Sequence, residues 1–299
     1  MRRACIDIGS NTTRLLVAEC QEAHLVEIHQ DRAFTRIGRA INSEGTIDAV
    51  KIAEVVAVVC AQLDHARELG ASEVFGVATA AIRRAVNGSE LVRAIEIACG
   101  LRVQILSGEE EARLAFIGAA STLDRRPRGA LGVVDVGGGS SEIVVGTAPH
   151  TIGWWSSFGL GSGDLADEYL RSDPPLAEEL TAARVRVAAC LEGIDPPAPL
   201  EAVAVGGSAT SMRLLAGSVL DPSAFERSLR MLAAQRAIEI AARFALDVER
   251  VRLLPAGLLI LEGVSNLFGR ALQIGCGGLR EGVLLSGGAD GAPRAAALL

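Results

Sequence analysis

The sequence has few aromatic residues, almost no lysine and none of the metal or redox motifs that histidine and cysteine commonly form. Aromatic residues make up 3% of the 299 residues, and Lys51 is the only lysine among 29 lysines and arginines. The four histidines form no H-x-x-x-H or H-E-x-x-H pattern, which argues against a helical zinc site. The six cysteines include no Cys-x-x-Cys pair, which predicts reduced thiols in a cytoplasmic protein.

Signals for secretion, membrane insertion and nucleic-acid binding are also missing. The apolar run before Asp7 is too short for a signal peptide. The most apolar stretch, residues 253–264, contains Pro255 and Glu262 and is shorter than the about 20 residues that a membrane span needs. The net charge of −7 argues against a broad nucleic-acid surface. We therefore expect no membrane or nucleic-acid partner.

What is present is an alternation of short apolar strands and helical patterns, which indicates α/β architecture. The length suggests about two domains. The polar, basic segment 123–129 is the best linker candidate, and the strand–turn–strand pattern starts again after it. We therefore predict an N-terminal domain at residues 1–125 and a C-terminal domain at residues 126–299, with a last helix that can pack back on the first domain.

Two Asp-x-Gly turns, beginning at Asp7 and Asp135, lie 128 residues apart, and each joins two apolar strands. A third glycine turn, residues 206–208, follows another strand. Short glycine turns leave backbone N–H groups able to bind phosphate, and aspartates can hold Mg²⁺ together with phosphate oxygens. Ordinary hairpin turns are the simpler explanation for one such motif, but the matched pair favours phosphate binding in a cleft between two similar domains.

The segment SGEEEAR contains a carboxylate that helix capping does not use. Ser107 and Glu110 match a capping box, in which each side chain binds the other residue's backbone amide. Glu111 remains, and its carboxylate could accept a proton from water that attacks phosphorus. Arg83 and Arg84 follow a strand, where phosphate contact and a solvent-exposed helix face are equally compatible with the pattern.

Other motifs carry less weight. Arg14, beside the first turn, is ambiguous in the same way, and Arg280-Glu281 is interpreted as structural. The glycine string at residues 159–163 lacks the later acidic residue of a dinucleotide-binding fold. No P-loop motif is present, and no histidine lies in a glycine-rich turn, so neither a P-loop enzyme nor a Ser/His/Asp hydrolase is indicated.

Several of these blocks together resemble the exopolyphosphatase / guanosine pentaphosphate phosphohydrolase (Ppx/GppA) family, within the sugar kinase–Hsp70–actin ATPase superfamily. The resemblance covers nearly the whole chain. The matching blocks are DIGSNTTRLLV (7–17), ATAAIRRAVN (78–87), ILSGEEEARLAFIGA (105–119), VVDVGGGSSEIVVG (133–146), AVGGSAT (204–210), LPAGLLILEGV (254–264) and GGLREGVL (277–284).

The resemblance implies two ribonuclease-H-like domains with a central cleft, and Mg²⁺ (or Mn²⁺) as cofactor. It implies that Glu111 is the catalytic base and that Arg83 contacts phosphate. The metal-associated residues are then Asp7, Asp135 and Glu142. Residue pattern and resemblance together give the following phosphate-binding residues: Gly9, Ser10, Asn11, Thr12, Gly137, Gly138, Gly139, Ser140, Gly206, Gly207 and Ser208.

The resulting prediction is an exopolyphosphatase that hydrolyses the terminal phosphoanhydride of inorganic polyphosphate and releases orthophosphate. Longer family members continue into a helical C-terminal region, so this chain resembles the short, two-domain form, and we expect short substrates. Two alternatives remain open: a pppGpp 5′-phosphohydrolase, and a non-catalytic sensor that binds polyphosphate or (p)ppGpp. Glu111 favours catalysis over sensing. A homodimer is a further expectation.

Overall fold

The computed structural model describes residues 1–21 and 24–287. The chain forms two compact units: the first contains residues 1–122 and 277–287, and the second contains residues 123–276. Each unit is built on one mixed β-sheet with helices. The predicted α/β class with two actin-like domains is therefore confirmed.

The two sheets share a core topology. The strands are β1 (Arg2–Ile8), β2 (Thr13–Gln21), β3 (His24–Ala33), β4 (Glu73–Ala78) and β5 (Val103–Ile105) in the first unit, and β6 (Ala130–Val136), β7 (Ser141–Thr147), β8 (Thr151–Phe158), β9 (Glu201–Val205), β10 (Val219–Leu220) and β11 (Leu272–Ile274) in the second. The orders are β3-β2-β1-β4-β5 and β10-β11-β9-β6-β7-β8. In each sheet three consecutive strands are antiparallel, and the first of them in sequence also pairs in parallel with a later strand. The first sheet therefore corresponds to strands β8-β7-β6-β9-β11 of the second.

Helices connect and cover these strands. They are α1 (Ile37–Ala40), α2 (Ala49–Glu68), α3 (Ala80–Arg84), α4 (Gly88–Cys99), α5 (Gly108–Ser121), α6 (Ser162–Tyr169), α7 (Ala177–Leu191), α8 (Gly206–Ala216), α9 (Pro222–Ala234), α10 (Ala237–Phe244), α11 (Val248–Phe268) and α12 (Leu279–Ser286). Helix α5 begins with the predicted capping box: Ser107 Oγ accepts from the Glu110 amide at 3.1 Å, and the Glu110 carboxylate accepts from the Ser107 amide at 2.9 Å.

The first sheet is covered on both faces, as its alternating strand residues require. Ile6 and Ile8 pack in the cluster that contains Leu63 of α2. Cys5 packs in a second cluster that contains Val283 of α12. Because successive side chains of a strand point to opposite faces, Asp7 lies on the same face as Cys5, which is the face covered by α12.

The return of α12 to the first unit depends on close contact between backbones. A Cβ atom on Gly118 of α5 would overlap the carbonyl of Gly278, and one on Gly282 of α12 would overlap the carbonyl of Leu114. Glycine at these positions lets the two helices touch. The predicted division placed the boundary at 125/126 and residues 126–299 in the second domain, with a last helix that can pack back on the first domain. The structure divides the chain after residue 122 and groups residues 277–287 with the first unit. Residues 288–299 lie outside the described residues.

Helix α11 is the core helix of the second unit. By length and composition it is long and apolar enough to cross a membrane, but 72% of its most apolar window is buried inside the protein. Its buried side chains, among them Leu254, Leu258 and Leu261, belong to the main hydrophobic cluster of that unit. Packing in this core accounts for the apolar character of the helix.

Candidate active site

In the first unit the predicted functional residues lie at one edge of the sheet. The turn 9–12 follows β1, Arg83 lies on α3 just after β4, and Glu111 lies in the first turn of α5, after β5. Strands β1, β4 and β5 run parallel to one another. The carboxyl ends of parallel strands meet at one edge, which is where open α/β sheets bind ligands.

The two predicted catalytic residues contact each other. Arg83 Nη1 donates to Glu111 Oε2 at 2.9 Å and to the carbonyl of Leu106 at 2.7 Å. The Glu111 side chain is 8% exposed and that of Arg83 is 28% exposed. The Leu106 carbonyl anchors the guanidinium, which in turn holds the carboxylate in one orientation.

The two Asp-x-Gly turns form matching hairpins, which we call the first hairpin (residues 7–14) and the second hairpin (residues 135–142). In each, the aspartate pairs with the last residue of the hairpin across two antiparallel strands. In each, the glycine amide two residues after the aspartate donates to the carbonyl three residues further on, at 3.0 Å. The duplication suggested by the sequence therefore extends to the strand register and the turn.

In the first hairpin, Asp7 lies opposite Arg14. Burial raises the pKa of Asp7, while the positive charges of Arg280 and Arg14 act in the opposite direction and Glu281 adds to the rise. One carboxylate oxygen of Asp7, Oδ1, is buried and accepts no hydrogen bond. Such an oxygen is costly to bury and is suited to a ligand that is not part of the chain.

The turn of the first hairpin offers donors to an anion. Ser10 is buried, and its Oγ accepts a hydrogen bond from the Ala81 amide at 3.1 Å. Because a hydroxyl both accepts and donates, this contact leaves the Ser10 O–H able to donate. Asn11 and Thr12 follow at the partly exposed part of the turn.

In the second hairpin, Asp135 lies opposite a second carboxylate, Glu142. Glu142 is 2% exposed, and its Oε1 accepts from Ser157 Oγ at 2.9 Å. Carboxylate oxygens are ligands for hard cations, so a directly opposed pair is a candidate Mg²⁺ site. Mg²⁺ commonly uses one or two carboxylates and completes its shell with water and phosphate oxygens, and the pair fits that pattern.

The third glycine turn is the first turn of α8, at the carboxyl end of β9. Gly206 has φ +86°, and a Cβ atom there would overlap the Asp135 carboxylate. A Cβ on Gly207 would lie 2.7 Å from Nη1 of Arg250. The buried Ser208 Oγ has no hydrogen-bond partner and lies against Gly257 of α11. Helix N-termini of this kind bind anions through their first-turn amides and the helix dipole, so phosphate binding by this segment stays a prediction.

The predicted metal ligands are divided between the two units. Asp135 and Glu142 adjoin in the second unit, whereas Asp7 belongs to the first and has arginines beside it. Within residues 1–21 and 24–287, no cluster of three or more His, Cys, Asp or Glu side chains could hold a metal. A metal in this protein would therefore need water or substrate oxygens as further ligands.

Sequence reasoning undervalued the glycine string at residues 159–163. The amides of Ser162 and Gly163, at the start of α6, donate to the carbonyls of Gly137 and Gly138 at 2.9 Å each. A Cβ atom on Gly161 would overlap the backbone of Gly138. The string thus holds the turn of the second hairpin, and its glycines are needed for close approach.

Two buried arginines were also undervalued or missed. Arg250 is 5% exposed and its guanidinium packs against Gly207. Arg280 is 6% exposed and donates to the Leu15 carbonyl at 3.2 Å and to Gln30 Oε1 at 3.3 Å. Its positive charge acts to lower the pKa of Asp7. The sequence did offer a signal, because each arginine lies at the start of an apolar helix. A charged side chain that such a helix buries needs a partner.

Comparisons with known proteins find relatives of this chain in both sequence and fold. Residues 16–288 match the model of the Ppx/GppA phosphatase family. Exopolyphosphatase 1 of Mycobacterium tuberculosis is 26% identical over 95% of this chain and 88% of its own length. An uncharacterised protein of Streptomyces coelicolor is 30% identical over 97% of this chain and 91% of its own length. The structure of an Aquifex aeolicus Ppx/GppA family member, 28% identical, covers 96% of this chain and 97% of its own with a TM-score of 0.80.

Proposed function

This chain belongs to the Ppx/GppA phosphatase family, whose members are phosphoanhydride hydrolases, and from that premise we propose that it is an exopolyphosphatase. The reaction is hydrolysis of the terminal phosphoanhydride of short inorganic polyphosphate, with release of orthophosphate. The contact between Arg83 and Glu111 carries the proposal, because it places an oriented, buried carboxylate beside a phosphate-binding cation at the ligand edge of the sheet.

Glu111 acts on the attacking water. The carboxylate accepts a proton as the water oxygen bonds to the terminal phosphorus, and the bridging P–O bond breaks. The departing oxygen carries the negative charge of the shortened chain and needs little protonation, so a separate acid is not required. Arg83 keeps the carboxylate oriented and can bind the phosphoryl oxygens.

Backbone amides and small polar side chains bind the phosphates. The turns 9–12 and 137–140 and the first turn of α8 supply N–H groups, and Ser10 supplies an O–H. Donors fixed in advance bind the phosphate charges of the substrate without reorganising during the reaction. Positioning and charge stabilisation are the main requirements of phosphoryl transfer.

Asp135 and Glu142 would hold Mg²⁺ (or Mn²⁺) in this proposal. This assignment is supported by the direct opposition of the two carboxylates in the second hairpin and by the burial of Glu142. When bound, the metal would neutralise phosphate oxygens and help orient the substrate. Asp7, the third predicted metal residue, lies in the first unit, where Arg14 and Arg280 act against its negative charge, and its role at the metal stays a prediction.

A phosphate-release assay with three substrates tests the function. Tripolyphosphate, long-chain polyphosphate and pppGpp are compared at equal concentration, with and without Mg²⁺. The proposal predicts Mg²⁺-dependent release that is fastest with tripolyphosphate. Faster release from pppGpp than from either polyphosphate would indicate a pppGpp 5′-phosphohydrolase. Binding of these compounds without phosphate release from any of them would indicate a sensor.

Replacement of Glu111 tests the mechanism. Glu111→Gln keeps the size of the side chain but removes the base, so we expect kcat to fall by about 10²–10⁴-fold. Glu109→Gln, an exposed neighbour in the same helical turn, is the matched control and should keep wild-type turnover. Near-normal turnover in Glu111→Gln, with melting temperatures unchanged, would contradict the assignment.

A further inference from the structure

A strained turn holds the anion-binding turn of the first hairpin. Arg36 adopts a left-handed conformation, φ 48° and ψ 42°, which residues other than glycine rarely adopt. Its amide donates to the Asn11 carbonyl at 2.9 Å, and the Gly38 amide donates to the Ser10 carbonyl at 2.8 Å. Two consecutive carbonyls of the turn are therefore held by residues 35–38, which we call the brace.

Side chains from two other elements hold the brace in turn. Thr35 Oγ1 lies 3.1 Å from Thr13 Oγ1 in a buried hydrogen bond. Lys51, in the first turn of α2, donates from Nζ to the Thr35 carbonyl at 3.1 Å. The only lysine of the chain thus supports the residue that precedes the strained one.

The geometry of the peptide bond converts this hold into an orientation. In a trans peptide the C=O of one residue and the N–H of the next point in opposite directions. With the carbonyls of Ser10 and Asn11 directed at the brace, the amides of Asn11 and Thr12 point away from it. The brace therefore determines the direction of two backbone N–H groups that the proposed function assigns to phosphate binding.

The second unit contains a related contact, displaced by one residue. The held carbonyls belong to the third and fourth residues after Asp7, but to the second and third residues after Asp135. After β8, the amides of Ser162 and Gly163 hold the carbonyls of Gly137 and Gly138. Gly161, the N-cap of α6, is extended with φ −114°. The same kind of contact thus holds both hairpin turns, which supports a role in positioning each turn rather than a local accident of one loop.

We infer that the 35–38 brace, supported by Lys51, is a positioning device that aims the Asn11 and Thr12 amides at substrate phosphate. This inference rests on the proposed function of the same site. Arg36 and Lys51 act as positioning residues through the backbone of the turn. The strained conformation at Arg36 is kept because relaxing it would rotate the two donors.

Two substitutions at Arg36 separate backbone from charge. Arg36→Gly and Arg36→Val both remove the guanidinium, but glycine accepts the left-handed conformation and a β-branched residue resists it. For tripolyphosphate hydrolysis with Mg²⁺ we expect Arg36→Val to raise KM about tenfold with kcat within about twofold, because the turn binds ground and transition states alike. Arg36→Gly should raise KM much less, about twofold.

Two further variants complete the design. Ala245 in the second unit is also left-handed, with φ 52°, so Ala245→Val carries comparable strain away from the turn and should leave KM unchanged. Lys51→Met removes the donor to Thr35 and should raise KM about threefold. Faster hydrogen exchange of the Arg36 and Gly38 amides in Arg36→Val and Lys51→Met would show that the brace has loosened in a folded protein.

The outcomes are distinguishable. Equal rises in KM for Arg36→Gly and Arg36→Val would assign the effect to the guanidinium and overturn the inference, and so would an unchanged KM in Arg36→Val. If the wild-type protein does not hydrolyse tripolyphosphate, the proposed function fails first. Calorimetric titration of tripolyphosphate into the same variants then tests whether the brace positions the turn for phosphate binding. Absence of binding to the wild-type protein would overturn both this inference and the proposed function.

Discussion

The two hairpins have the same turn, but the residue opposite the aspartate differs in charge. In both, an aspartate near the end of a central strand precedes a turn closed by the same hydrogen bond. The residue opposite the aspartate is Arg14 in the first hairpin and Glu142 in the second. Duplication preserved the frame that presents backbone amides, while the partner of each aspartate diverged in charge.

This difference assigns different tasks to the two hairpins. Arginines beside Asp7 offset its negative charge within the protein. In the second hairpin the residue opposite Asp135 is instead a second carboxylate, Glu142, and carboxylate oxygens are ligands that Mg²⁺ accepts. We therefore expect the metal at the second hairpin, and anion binding with the catalytic carboxylate Glu111 in the first unit.

Among changes to the two hairpins, the largest effect should come from removing the carboxylate opposite Asp135 in the second hairpin. Glu142→Gln should lower kcat/KM about a hundredfold or more and raise the Mg²⁺ concentration needed for half-maximal rate. The matched change in the first hairpin, Arg14→Gln, should raise KM without shifting the Mg²⁺ midpoint. Initial rates across a Mg²⁺ series measure both, and identical Mg²⁺ dependence in the two variants would remove the proposed division of tasks.

A smaller effect should follow from crowding Asp135 from the α8 side. Gly206→Ala introduces a methyl group that overlaps the Asp135 carboxylate at a residue with φ +86°. Displacement of that carboxylate should lower activity about tenfold, with about 1–3 kcal/mol of destabilisation.

The control for this crowding is Gly217→Ala. Gly217 has a similar φ of +89° but no heavy atom within 4 Å of an added Cβ. It carries the backbone strain without the collision, so melting temperature should fall while activity per folded molecule stays constant. Equal loss of activity in Gly206→Ala and Gly217→Ala would show that strain alone is responsible.

The smallest effect concerns the stability of the first hairpin. Burial raises the pKa of Asp7 in the folded protein, so its ionisation lowers stability as the pH rises from the ordinary aspartate pKa through the folded-state value. Asp7→Asn carries no charge and should melt about 2–4 °C higher at neutral pH. The gain should disappear in acid, where Asp7 is protonated in both folded and unfolded protein.

Thermal melts of metal-free protein over a pH series measure this gain. The exposed Asp124→Asn is the control and should not shift the melting temperature. A lower melting temperature for Asp7→Asn at neutral pH would show that Arg14 and Arg280 outweigh burial, and the two hairpins would then differ less than their charges suggest.

Short-range features of this protein could be predicted from sequence because neighbouring residues determine them. The capping box of Ser107 and Glu110 forms as expected, since four consecutive residues suffice to build it. The strand–turn–strand pattern around Asp7 and Asp135 likewise depends on adjacent glycines and apolar residues. The family resemblance assigned a role to Arg83 and to Glu111, but their direct contact was not predicted, since 28 residues separate them along the chain.

The missed features all depend on contacts between distant segments. The glycines at 159–163 matter because α6 lies against the turn of the second hairpin. Arg250 matters because α11 brings it to Gly207. The strain at Arg36 depends on a left-handed conformation that no residue pattern indicated, because arginine gives no local preference for it.

The amino-acid sequence by itself determined the α/β alternation, the caps and the paired glycine turns, because hydrophobic periodicity and turn chemistry act over a few residues. Tertiary structure alone decided which charge faces each aspartate and which amides hold each turn. Both features depend on the register of the strands and on how closely the helices approach one another. In a buried site, one charge or one missing Cβ atom then has a large effect on stability and binding.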